Sequence, residues 1–185
     1  MKKNIITIIH TFLLVSILTI VLVSYYQERT ERKQWATEME NEHFMERVYM
    51  QDNVTASIIG NGFPVNIENS HFTSPKIICY YSAQSCAACI NYAKEAIKKY
   101  FPDPQNDSTI VYLATNYPAN YKFKEKNTIN LGRKKLNLPI ETVDRVFFFV
   151  IDDNRVEHIF MPERQFDEYT QLYLKQVHKR YVEGR

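Results

Sequence analysis

The sequence predicts an α/β fold, a central mixed sheet flanked by helices, behind an N-terminal transmembrane helix. Three observations carry this. Residues 5–26 form an uncharged run rich in Ile, Leu and Val. Strand-type and helix-type apolar patterns alternate through the rest of the chain. A Cys-Ala-Ala-Cys quartet, residues 86–89, stands where a β-branched and aromatic run gives way to an amphipathic one.

The first element is the apolar run. A helix needs about 20 such residues to cross a bilayer. A cleaved signal peptide has a shorter apolar region, about 7–15 residues, followed by a small-x-small site. Here the run is longer and leaves through Val23-Ser24-Tyr25-Tyr26, so it reads as an uncleaved anchor. The two tyrosines suit a membrane interface. His10 is tolerated near the end of such a helix. Lys2 and Lys3 flank one end, and Arg29, Arg32 and Lys33 the other, so basic residues do not decide the orientation. A short basic head, an apolar run and a long C-terminal domain are the signal-anchor arrangement. The expectation is a single pass in the inner (cytoplasmic) membrane, with the C-terminal domain facing the periplasm or cell exterior.

Residues 27–50 are charged, lack Gly and Pro, and place Trp35, Met39, Met45 and Val48/Tyr49 near helical spacing. They predict a helical stalk. Its apolar stripe suits packing on the domain, continuation of the anchor helix, or a dimer seam. The expected organisation is an anchor over 1–26, a stalk over 27–50 and an α/β domain over 51–185.

Within that domain, Gly60-Asn61-Gly62-Phe63-Pro64 marks a turn, and residues 63–69 predict a first strand. Residues 76–82 (KIICYYS) follow Ser74-Pro75 and predict a second. Residues 86–101 predict a helix with Ile90, Ala93, Ala96 and Ile97 inward, stopped by Pro102. Residues 108–115 predict a strand and residues 129–137 a helix. Residues 145–152 predict a buried strand, Asp153-Asn154 a hairpin turn and residues 155–160 its partner. Residues 165–182 predict a closing helix with Phe166, Tyr169, Leu172, Tyr173 and Val177 along one side.

Composition bounds the function. The net charge of +2 gives no argument for a nucleic-acid partner. Three cysteines are too few for a disulfide-built scaffold. Cys79, in the middle of a hydrophobic strand, reads as a buried inert thiol. Cys86 and Cys89 can be a redox dithiol, a structural disulfide or half of a metal site. Positions i and i+3 of a helix share a face, which allows disulfide geometry. A cysteine at a helix N-terminus also sits beside unpaired N–H groups, which favour its thiolate. A metal would need further ligands, and His71 and His158 lack motif spacing. The basic stretch 122–135 reads as a solvated segment, and the C-terminal basic tail as the polar face of the last helix.

The strand–CxxC–helix arrangement and the FFFVIDDNRV hairpin resemble the thioredoxin fold over roughly residues 60–180. More narrowly, the chain resembles the membrane-anchored thioredoxin-like (redoxin) proteins of the bacterial cell envelope. The resemblance implies a thiol–disulfide oxidoreductase acting on extracytoplasmic protein thiols, with Cys86 as nucleophile and Cys89 as resolving thiol. It implies no dissociable cofactor, and it gives Arg145 and Val146 the loop that binds the substrate chain. Three departures stand beside it. Ala87-Ala88 replace the usual Gly-Pro, and Ser85 the usual Trp. Tyr80 occupies the position of the family's buried acid, and the sequence identifies no replacement: Glu95 is one helical possibility but reads more readily as a solvated residue. Val146 occupies the slot of the cis-proline, Pro139 being too distant to fill it. A non-proline cis bond costs about 2.5–4 kcal/mol, so the bond before Val146 is expected to be trans. Those departures leave a second function open: a non-catalytic binding or scaffold module with Cys86–Cys89 as a structural bond. Metal handling is a third. The Pro-x-x-x-Thr-x-x-Cys pattern of peroxidases of this fold is absent before Cys86.

Overall fold

The computed structural model describes residues 2–65, 67, 75–142 and 144–184. It contains a mixed α/β arrangement of three α-helices and one six-stranded sheet among those residues. The chain divides into two compact units, Met1–Val48 and Tyr49–Arg185. Helix α1 (Lys2–Gly60) supplies all of the first and opens the second.

In the first unit, α1 contains a stretch long and apolar enough to cross a membrane. None of that stretch is buried by the chain, which leaves Phe12, Leu14, Leu18 and Ile20 exposed. Trp35 and Met39, on the predicted stalk, are exposed as well.

In the second unit the sheet runs β1-β6-β5-β2-β3-β4. Strand β2 (Lys76–Ser82) lies parallel to β3 (Ile110–Thr115) and antiparallel to β5 (Phe147–Asp152). Strand β6 (Arg155–Phe160) pairs antiparallel with β5 and with the short β1 (Phe63–Pro64). Strand β4 (Thr128–Gly132) adds a parallel edge beside β3. Helix α2 (Ala87–Tyr100) follows β2, and α3 (Asp167–His178) follows β6. Strand β5 is buried on both faces, so Phe147, Phe148 and Phe149 can all be fully enclosed. Each such side chain contributes about 1.5–3 kcal/mol by leaving water.

The two faces of the sheet carry separate cores. Ile77, Cys79 and Tyr81 pack toward Ile90, Ala93, Ala96 and Ile97 of α2 and toward Leu174 and Val177 of α3. Ile78 and Tyr80 point the other way, into a layer with Leu136, Leu138 and Ile140. The inward set of α2 is the one its periodicity predicts. Asp153 and Asn154 both take left-handed backbone angles, as a tight two-residue hairpin requires.

Several expectations are corrected. Residues 129–137 do not form a helix: β4 occupies Thr128–Gly132, where Thr128 and Ile129 favour extended backbone and β3 offers a free edge. Gly132 (φ 59°) and Asn137 (φ 61°) would break a helix there in any case. Strand β1 is shorter than expected, and residues 66 and 68–74, with His71, lie outside the described residues. The strand expected from 145 begins at Phe147, leaving Arg145 and Val146 in the loop before it. Helix α1 runs on to Gly60, because Tyr49 and Asn53 bond to the rest of this unit and Gly60 closes on Ile159. The closing segment begins as a 3-10 turn (Arg164–Phe166) and ends in a π-helical turn (Lys179–Glu183). Its inward face carries Thr170, Leu174 and Val177, and Leu172 points to solvent.

Candidate functional site

Parallel pairing of β2 and β3 requires a crossover, and α2 is that crossover. Its first residues therefore emerge at the C-terminal end of β2. A turn at Ser82–Ser85 makes the transition: Ser85 Oγ accepts from the Ser82 N–H at 3.0 Å. Cys86 caps α2, and its sulfur accepts the backbone N–H of Cys89 at 3.4 Å. Both are free thiols and both are exposed.

The two sulfurs have opposite electrostatics. A hydrogen bond from the Cys89 thiol, then backbone N–H groups of Cys89 and Ala88, hold the Cys86 thiol below its ordinary range. Cys89 is pushed up to about 11 by giving that bond, by partial burial and by the negative charge of Cys86, with Glu163 adding to it. This is the polarity of a nucleophile beside a reserve thiol. Cys79 shows the contrast: burial in the sheet pushes its thiol up to about 12.

Cys86 and Cys89 open onto a cavity of about 180 Å³. The loop before β5 supplies Asp144, Arg145 and Val146, and the loop after β6 supplies Met161, Pro162 and Glu163. All four residues expected at the site thus line one cavity. Val146 is buried, Arg145 is exposed, and the bond between them is trans. Arg145 Nη1 lies 3.8 Å from Asp52 Oδ2 of α1.

The loop after β6 was not legible beforehand. Met161 is anchored at both backbone groups: its N–H donates to Asn53 Oδ1 at 2.7 Å, and its carbonyl accepts from Tyr49 Oη at 2.9 Å. Asn53 Nδ2 in turn donates to the Tyr49 carbonyl at 3.2 Å, and the Tyr49 ring stacks on Phe166. The last turns of α1 therefore set the position of one wall of the cavity. Pro162, just past a strand, was the local signal that a non-strand loop begins there.

Tyr80 does not replace the missing acid. Its hydroxyl donates to Glu141 Oε1 at 2.7 Å, and Glu141 also accepts the N–H groups of Leu136 and Leu138. Burial, then that hydrogen bond, keeps the Tyr80 phenol protonated. The pair braces residues 136–141 in the core layer opposite α2. Glu95 pairs with Lys98 at the surface and does not line the cysteine cavity. The carboxylates that do line it are Asp144 and Glu163. His158 meets the Tyr181 hydroxyl at 3.0 Å. Among the described residues, no group of three or more His, Cys, Asp and Glu side chains is placed to hold a metal ion.

No family model matches the chain. No curated protein matches it. Among solved structures, the chain is similar to the N-terminal domain of PilB from Neisseria gonorrhoeae, at 13% identity and a TM-score of 0.38. The overlap covers 65% of this chain and 89% of that one. A likeness this loose carries no weight for fold or chemistry beside the geometry above.

Proposed function

We propose that this chain is a membrane-anchored thiol–disulfide oxidoreductase of thioredoxin-like fold, acting on protein thiols or disulfides outside the cytoplasm. The observation that carries the reading is the Cys86–Cys89 pair: adjacent, exposed, unequal in acidity and set at the head of α2. The fold reading is supported by the strand order β3-β2-β5-β6, parallel then antiparallel, with helices after β2 and β6.

The chemistry balances without a cofactor. Cys86 thiolate attacks one sulfur of a substrate disulfide, and the other leaves as thiolate. Cys89 gives up its proton and attacks the Cys86 sulfur, releasing the second substrate thiol. Two electrons and two protons pass to the substrate, and Cys86–Cys89 becomes the disulfide. A partner protein dithiol restores it by the reverse exchange. Arg145 and Val146 flank the approach of the substrate chain. The anchor reading rests on the uncovered apolar stretch of α1.

A Cys89→Ser variant tests the activity, because it stalls the exchange at the mixed disulfide. Partners trapped on Cys86 in cells are the expected result. A Cys86–Cys89 potential well below about −300 mV, with no trapped partner, would make the pair a structural bond and the chain a binding or scaffold module. Topology has its own test. A membrane-impermeant thiol reagent labels Cys86 in intact reduced spheroplasts if the domain is outside, and only after lysis if it is inside.

A further inference from the structure

A second cavity, of about 270 Å³, adjoins the cysteine cavity. Arg145 and Met161 line both, so the two compartments share a wall. Thr55, Ala56 and Ile59 of α1 form one side, and Ile140 the other. Ile140 and Met161 are buried, whereas Ile59 is 54% exposed at the opening. Asp52 and Arg145 put opposite charges on the rim.

We propose that this cavity is a subsite for one apolar side chain of the polypeptide whose disulfide meets Cys86. The inference rests on the redox reading of that cysteine. An extended chain sends alternate side chains to the same face. A chain that delivers a cysteine to the first compartment therefore presents the residue two places from it to the second, across Arg145 and Met161. The apolar floor with a charged rim is the composition of a side-chain pocket: burial supplies affinity and the rim meets the peptide backbone. Its volume accommodates a leucine- to phenylalanine-sized group. The substrate class that follows is an unfolded or extended polypeptide segment with a large apolar residue close to its cysteine.

The test uses the full chain in detergent micelles, reduced beforehand, and three disulfide probes. Two are cyclic peptides identical except for leucines or serines two places from each cysteine, and the third is the small reagent dithiobis(nitrobenzoate). Peptide rates are normalised to their rates with dithiothreitol. The expected result is a preference for the leucine peptide of about tenfold at subsaturating concentration, within the range set by one buried apolar group. Thr55→Trp, at an exposed position of α1, fills the cavity and removes the preference, read as the ratio of the two peptide rates. Ile59→Ser weakens it. Reduction of the small reagent with equal peptide rates overturns the subsite and leaves the redox reading standing. A preference that survives Thr55→Trp also overturns it, and so does a concentration-dependent dimer that Thr55→Trp abolishes, because a second copy would then own the cavity. No reaction with the small reagent overturns both readings.

Discussion

Asn53 Oδ1, on the last turns of α1, accepts the backbone N–H of Met161 at 2.7 Å. Both groups are buried. Asn53→Ala leaves that N–H without an acceptor and is expected to cost about 1–3 kcal/mol of stability, read by urea unfolding. Because Met161 lines the cysteine cavity, the same variant is expected to alter the alkylation rate of Cys86.

The acidity of Cys86 depends first on Cys89. The rate of iodoacetamide alkylation of Cys86 should rise with pH through a midpoint below that of an ordinary thiol. Cys89→Ala removes the largest stabiliser of the thiolate, so the midpoint moves up and the rate at neutral pH falls. The backbone N–H groups remain, which makes the shift partial.

Tyr80→Phe separates structure from chemistry. It removes one of the hydrogen bonds that Glu141 accepts in the core layer away from α2. The expected cost is about 1–3 kcal/mol in unfolding free energy. Cys86 alkylation should be unchanged, whereas a proton-transfer role for Tyr80 would slow resolution of the mixed disulfide.

His158 makes stability depend on pH. Burial, with Arg180 nearby, lowers its affinity for a proton in the folded state, against a smaller opposing influence of Glu157. The unfolded chain therefore takes up the proton first as pH falls below about 6.5. The stabilisation is fully present above that value and is lost as pH falls toward the lower folded-state value. His158→Gln should flatten this part of the stability profile in urea titrations at pH 5 to 8.

What was legible in the sequence was what short-range pattern encodes. The bounds of β2 and β6, the inward residues of α2 and the capping position of Cys86 follow from period, β-branching and one proline. The misread segments were decided at long range. Residues 128–132 became a strand because β3 had an edge to fill, and α1 continued because Tyr49 and Asn53 found partners after β6. The same holds for the site. Its cysteines were visible as a spacing, and Arg145 and Val146 through a resemblance. Met161, Pro162 and Glu163 reach the cavity only through the hairpin and sheet, and no local signal ties them to residue 86.

The burial of Cys79 between β3 and β5 gives the chain an internal gauge of unfolding. With Cys86 and Cys89 blocked by a first reagent in the native state, Cys79 is the one thiol left to report. It can be reached only when the central strand leaves its neighbours. A second, differently coloured reagent then counts global opening events molecule by molecule, in a membrane or in a cell, without any engineered label.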